Sequence, residues 1–197
     1  MRYPVILADP PWEFKAWGKN TGKNGRTAEK HYRTMPTVEI AKFPIESIAA
    51  KDCALFLWAV WPALPDALAL IAAWGFEYKT VAWVWTKFNE TSMGTHMGLG
   101  YYTRANTEPC LLAVRGTMPV KAHDVQALIM TPVQEHSRKP DDQYRKIERL
   151  YDGPYLELFA RRKRPGWHVW GNEVESDVML QAMTPAPVVA AAEGANG

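Results

Sequence analysis

Asp9-Pro10-Pro11-Trp12 directly follows the short apolar run Pro4-Val5-Ile6-Leu7-Ala8. The run reads as a buried strand, so the tetrapeptide sits where that strand ends. In open α/β sheets the carboxyl ends of the strands are where ligands bind. Each prolyl ring fixes its own φ and removes an N–H, and Pro10 also keeps Asp9 out of the helical region. The product is a stiff, extended corner with a carboxylate, exposed carbonyls and a large aromatic face. Such a corner suits a flat heterocycle that carries an amino group. The 6-amino group of adenine is a poor nucleophile, because its lone pair is delocalised into the ring. If Asp9 and the Pro10 carbonyl each accept one of its N–H bonds, that lone pair is freed to attack. Positive charge then builds on the nitrogen, and Asp9 stabilises it. A charge-assisted hydrogen bond of this kind contributes about 1.5–3 kcal/mol. Trp12 is expected to stack on the base, for about 1–3 kcal/mol. Taken alone, the same four residues also read as a rigid turn with a core tryptophan.

The elements that hold this corner follow from periodicity and from the placement of Gly and Pro. Residues 4–8 predict a strand, 13–36 a long polar loop, and 37–50 a helix interrupted at Pro44. Residues 53–60 predict a fully buried strand, 65–74 a helix stopped at Gly75, and 78–86 and 109–115 two further strands. Residues 88–107 and 116–138 are expected to be loops. Residues 140–151 carry strong helix signals: Pro140 at the start, Asp141 and Asp142 in the first turn, and Arg145, Lys146 and Arg149 towards the end. Residues 155–160 and 167–170 predict the last strands, and a tail rich in Ala, Pro and Gly follows. Strands alternating with helices predict an α/β fold. One domain over 1–178 is expected, with 179–197 as a disordered tail.

Composition narrows the class. The chain has 197 residues, 47% of them hydrophobic and 22% charged, with a net charge of +2. That is ordinary for a globular domain and only mildly basic. No stretch is long enough to span a membrane and no signal-peptide pattern opens the chain, so a cytoplasmic protein is expected. Cys53 and Cys110 lie in apolar runs and read as core thiols. The five histidines are scattered and no metal site is implied. Basic residues cluster in Arg161-Arg162-Lys163-Arg164 and in the loop after the tetrapeptide, at Lys15, Lys19, Lys23, Arg26, Lys30 and Arg33. Their closeness in sequence to the candidate site assigns them here to a nucleic-acid surface. Among nine tryptophans, Trp58, Trp61, Trp74, Trp83 and Trp85 are expected in the core. Trp12, Trp17 and Trp167 are expected to face a ligand.

Seven segments in order complete the pattern: Asp9 to Trp12; Tyr32-Arg33-Thr34-Met35; Leu55-Phe56-Leu57-Trp58; Glu108-Pro109-Cys110-Leu111-Leu112; His136-Ser137-Arg138-Lys139-Pro140-Asp141; Glu157-Leu158-Phe159-Ala160-Arg161; and Gly171-Asn172. Together they resemble the adenine-6-amino methyltransferases of the MT-A type, which include the eukaryotic messenger-RNA enzyme and its bacterial and phage DNA relatives. The likeness covers residues 4–175. It implies a Rossmann-like methyltransferase fold, with a mostly parallel sheet and helices on both faces, and S-adenosylmethionine as cofactor. It implies that Asp9, Pro10, Pro11 and Trp12 are catalytic and that Tyr32 and Glu108 line the base pocket with Trp12. Lys139 would take the cofactor carboxylate. Asp9, Leu158, Phe159, Arg161, Asn172 and Glu173 would contribute to the rest of the cofactor site. The catalytic tetrapeptide precedes the cofactor-binding strand, an order that resembles the β-class of amino-methyltransferases. Glu173 stands where eukaryotic members often have Gln. Eight residues precede Asp9, so contacts that longer members make from upstream are expected from elsewhere.

The resemblance implies methylation of adenine, and DNA is the expected substrate because the chain is compact and shows no zinc-finger or Arg/Gly-rich RNA-binding segment. The same chemistry on RNA, or a non-catalytic nucleic-acid-binding subunit, remain alternatives; intact Asp9 and Trp12 argue against the last. The implied partners are nucleic acid and a second chain, as a homodimer or heterodimer.

Overall fold

The computed structural model describes residues 1–13, 34–89, 94–98, 102–133 and 138–180. Seven strands make one sheet: β1 (Tyr3–Ala8), β2 (Ala49–Trp58), β3 (Glu77–Phe88), β4 (Thr107–Arg115), β5 (Leu128–Pro132), β6 (Tyr155–Leu158) and β7 (Trp167–Trp170). Their order across the sheet is β5-β3-β4-β2-β1-β6-β7. The sheet is mixed. β1 pairs in parallel with β2 and β6, as do β6 with β7 and β3 with β5; β4 is antiparallel to both β2 and β3. The reversal of β4 has a functional consequence. Its first residues, Thr107 and Glu108, come to the edge where β1 and β2 end.

Four α-helices are present among the described residues: α1 (Thr37–Ile40), α2 (Ile45–Ile48), α3 (Leu64–Ala73) and α4 (Asp142–Leu150). The helix expected over 37–50 is two single turns separated by Pro44, and Ala49 and Ala50 already belong to β2. Helix α3 ends where Gly75 adopts a φ of +78°, a conformation that costs a residue without Cβ little. The loop expected over 116–138 contains β5. That strand is short, lies at the sheet edge and exposes Leu128 and Met130, so it carries little of the apolar signal that marks a strand.

β1 is central and buried on both faces, which explains its unbroken apolar run. Ile6 and Ala8 join a core with α3, through Ala67, Leu70 and Ile71. Val5 and Leu7 join the opposite core with α4, through Tyr144, Ile147 and Tyr151. Helices therefore cover both faces. Trp58, Trp83 and Trp85 fill the α4 side, where Phe56 stacks on Trp83 at 5.2 Å. Cys53 and Cys110 are buried and unpaired with each other by a disulfide, and burial pushes the Cys53 thiol up to about 12.

Three tryptophan expectations need correction. Trp61 is 43% exposed and donates its indole N–H to Thr107 Oγ1 at 2.9 Å. Trp167 is core, stacked on Tyr155 at 4.7 Å, with its N–H on Glu148. Trp12 is core as well, as described below. Trp17 and the tail from 181 onward lie outside the described residues. Leu180 packs into the α3-side core, two residues past the expected end of the domain.

Candidate active site

The corner after β1 is fastened at several points. The Trp12 N–H donates to the Pro10 carbonyl at 2.8 Å and the Met35 N–H to the Pro11 carbonyl at 2.8 Å. Trp12 is 4% exposed, and its indole N–H donates to the Trp58 carbonyl at 2.8 Å. Trp58 in turn donates its indole N–H to Gln143 Oε1 at 2.6 Å. Trp12 is thus the anchor of the corner and not the open stacking face expected from its polar sequence surroundings. The Pro10 carbonyl, expected to hold an amino group, already accepts one internal N–H. A carbonyl oxygen has a second lone pair, so one further acceptance remains open to it.

Anchoring the backbone this way directs the Asp9 carboxylate along the edge of the sheet. Lys139, three residues before α4, donates to Asp9 Oδ1 at 2.9 Å and to Oδ2 at 2.8 Å. The same ammonium lies 3.5 Å from Glu108 Oε2 and 5.4 Å from the centre of the Trp58 ring. Glu108 Oε1 accepts a short hydrogen bond from Lys87, whose ammonium also sits over Trp85. The four side chains form one alternating chain, Asp9–Lys139–Glu108–Lys87, drawn from β1, the segment before α4, β4 and β3. Burial alone would raise the Glu108 carboxyl, but the Lys139 and Lys87 ammoniums outweigh it and hold it below the ordinary value.

Glu157 on β6 stands opposite Leu7 and is mostly buried beneath this edge. The Tyr144 hydroxyl reaches its two oxygens at 3.1 and 3.0 Å. Burial pushes the Glu157 carboxyl up to about 7; the Tyr144 hydroxyl opposes the push and the charge of Asp9 adds to it.

A second group of residues lies off the ends of β6 and β7. Phe159 has a φ of +60°, unusual for a bulky residue and a mark of strain held by its surroundings. Its ring packs edge-on against Phe43 at 5.9 Å and Trp170 at 5.3 Å. The side chain of Leu158 is core, 1% exposed, which leaves only its backbone to face a ligand. The Ala160 N–H donates to the Trp170 carbonyl at 2.9 Å, and a Cβ at Gly171 would stand 2.0 Å from the Ala160 carbonyl oxygen. Gly171 is therefore required for the two strand ends to meet. Asn172 and Glu173 are exposed, and Glu173 Oε1 lies 3.6 Å from Arg161 Nε.

Residues 3–173 match the MT-A70 family. The chain belongs to the MT-A70 family. The resemblance drawn from the seven segments is the correct one. The MT-A70 chain is 33% identical over 189 residues to a Type II methyltransferase, M.MunI, of Mycoplasma sp, across 88% of this chain and 78% of that protein. It is 28% identical over 184 residues to the N(6)-adenosine-methyltransferase catalytic subunit METTL3 of Homo sapiens, across 91% of this chain and 29% of that protein. The N(6)-adenine-specific methyltransferase METTL4 of Homo sapiens is 28% identical over 190 residues, across 87% of this chain and 37% of that protein. The chain spans only about a third of either human protein.

Among the MT-A70 residues singled out from sequence, Asp9, Glu108 and Lys139 are brought into contact. Phe159, Arg161, Asn172 and Glu173 gather at the neighbouring strand ends. Tyr32 lies outside the described residues, as do His136, Ser137 and the cations from Lys15 to Arg33. The basic run 161–164 is partly exposed and meets acidic partners from other segments. Arg161 faces Glu173, Arg162 pairs with Asp141, and Lys163 lies 3.3 Å from both Glu175 and Asp177. Arg164 sits 4.3 Å from the centre of the Tyr144 ring. Lys87, Gln143 and Glu157 were given no role from sequence. Glu157 had one available signal, a carboxylate at an inward position of a parallel strand, where continuous apolar residues are the rule.

Proposed function

We propose that this chain transfers a methyl group from S-adenosylmethionine to the exocyclic 6-amino group of adenine in DNA. The observation that carries the proposal is the Asp9 carboxylate, fixed at the carboxyl end of β1 by the Trp12 anchor and set beside Lys139. The match over most of the length of a Type II methyltransferase favours DNA. RNA is the second reading, favoured by the likeness to an N(6)-adenosine-methyltransferase. We read the strand order as a Rossmann-like methyltransferase sheet with one reversed strand, built on a single domain.

The chemistry of the side chains fits this cofactor. Lys139 provides a cation for a carboxylate at the edge that also carries Asp9. The strained Phe159 and the Gly171 contact shape the strand ends where Arg161, Asn172 and Glu173 offer donors and acceptors for ribose and adenine. When bound, S-adenosylmethionine supplies an electrophilic methyl group on a sulfonium sulfur. Asp9 accepts an N–H of the target amino group and draws its nitrogen towards tetrahedral geometry. As positive charge grows on that nitrogen, the carboxylate stabilises it, and the surplus N–H proton is released to solvent once the methyl group is in place. The Pro10 carbonyl supplies the second acceptor through its remaining lone pair. Glu108, compensated by two lysines, borders the base.

The test is transfer of labelled methyl groups to DNA and RNA oligonucleotides of matched sequence, with the products identified as nucleosides by mass spectrometry. N6-methyladenine in DNA is the expected product. Product in RNA alone moves the assignment to the second reading. No product on either, with cofactor bound, overturns the proposal in favour of a non-catalytic subunit. A duplex target base has to leave the stack at a cost of a few kcal/mol, so unpaired DNA is expected to react faster than matched duplex at limiting enzyme.

A further inference from the structure

The carboxylate assigned to grip the substrate is already engaged. Both Asp9 oxygens take hydrogen bonds from Lys139, at 2.9 and 2.8 Å, and the lysine side chain is only 11% exposed. An incoming amino group therefore meets a carboxylate whose charge is compensated by an ammonium. Among the described residues of this edge, Asp9 and Glu108 are balanced by Lys139 and Lys87. If Lys139 turns away from Asp9, Glu108 keeps its partner in Lys87, while Asp9 loses both hydrogen bonds to the ammonium. The Lys139 ammonium lies over the Trp58 ring and already between two carboxylates, at 2.8 Å from Asp9 and 3.5 Å from Glu108, so a small change of its head group is enough to redistribute its bonds.

We propose that Lys139 is a latch shared by the two subsites: the carboxylate of the bound cofactor draws its ammonium off Asp9 and so frees Asp9 to accept the adenine amino group. The proposal rests on the function stated above, with Lys139 receiving the cofactor carboxylate. It makes the two ligands bind in a coupled way, and coupling through a shared group is reciprocal. The cofactor strengthens the grip on the amino group, and a bound target adenine strengthens the hold on the cofactor. A ligand shifts such an equilibrium only through a difference in its affinity for the two states. Here that difference is the carboxylate. The adenosine half of the cofactor, bound at the ends of β6 and β7, has no lever on Lys139.

The experiment uses the intact protein, an oligonucleotide that it methylates, and the same oligonucleotide with purine, which lacks the 6-amino group, in place of the target adenine. The ratio of the two dissociation constants reads the grip on the amino group. It is measured without cofactor, with saturating S-adenosylhomocysteine, which has the carboxylate, and with saturating 5′-methylthioadenosine, which does not. Saturation of each is set by calorimetry. The ratio is expected to rise about tenfold with S-adenosylhomocysteine and to stay unchanged with 5′-methylthioadenosine. In Lys139→Met the ratio is expected to be high from the outset and insensitive to either ligand. Equal ratios in all three wild-type conditions, or an equal rise with both ligands, overturn the latch while leaving the methyltransferase assignment in place. Failure of S-adenosylhomocysteine to bind at all overturns the assignment and the latch together.

Discussion

The edge formed by β1, β2 and β4 and the edge formed by β6 and β7 are neighbours in one sheet, yet they are built differently. At the first, charged groups are sunk into the sheet end. The side chains of Lys139, Glu108 and Lys87 are each under 20% exposed, and Asp9 is fastened from behind by Trp12. At the second, Arg161 and Glu173 meet loosely in the open, and Asn172 is exposed. Ion pairs shielded from water interact far more strongly than pairs in solvent. The backbone of the Asp9 corner is thus set in position before any ligand arrives, and only the Lys139 ammonium has bonds to redistribute. In the proposed reading the second edge holds the adenosine half of the cofactor, which many modest contacts accomplish.

Substitutions separate the two edges by size of effect. Trp12→Ala removes a buried indole and is expected to cost about 3–5 kcal/mol of stability, read by denaturant or thermal unfolding. Trp12→Phe retains most of the burial but leaves the Trp58 carbonyl without its donor, for about 1–3 kcal/mol. If Trp12→Ala unfolds at the wild-type midpoint, the anchoring role is wrong and the first edge is no better fixed than the second.

Glu157 gives an effect of intermediate size that depends on pH. Its carboxyl is raised in the folded state from an ordinary 4.5 to about 7. A raised folded value means that the stabilising contribution of the protonated form is complete below about 4.5 and is lost as pH rises through about 7. A shift of this size corresponds to about 3 kcal/mol. Glu157→Gln holds the side chain neutral at every pH. Its stability relative to wild type is therefore expected to improve between pH 5 and pH 8, and a difference constant across that range contradicts the account of Glu157.

The smallest effect belongs to the exposed edge. Arg161→Ala is expected to change stability by less than about 1 kcal/mol, because an exposed pair contributes little, while cofactor affinity falls measurably in titration calorimetry. A stability loss as large as that of Trp12→Ala removes the contrast between the edges.

Local stereochemistry explains what could be read in advance. The corner at Asp9 was legible because two prolines and a strand act on their own residues. Helix α4 was legible because Asp142 and Arg149 mark its two ends. The chain Asp9–Lys139–Glu108–Lys87 was not legible as a unit. Its members lie apart in sequence, and Glu108 joins Asp9 and Lys139 because β4 runs against its neighbours. The exposure of Trp12 was misjudged for a related reason. Its neighbours in sequence are polar, while its neighbours in space are Trp58 and the α3-side core. The acidic partners of the basic run at 161–164, Asp141, Glu173, Glu175 and Asp177, were not legible because they come from other segments.

In the proposed reading Asp9 acts on the amino group and does not merely hold the cofactor. The direct test is Asp9→Asn, with S-adenosylmethionine affinity measured by calorimetry alongside single-turnover methyl transfer. Cofactor affinity is expected to fall by no more than about threefold and to rise where Lys139 no longer has to leave a carboxylate, while methyl transfer is reduced by about a thousandfold. Transfer at a near-wild-type rate, or a loss of activity fully explained by lost cofactor binding, would contradict this reading.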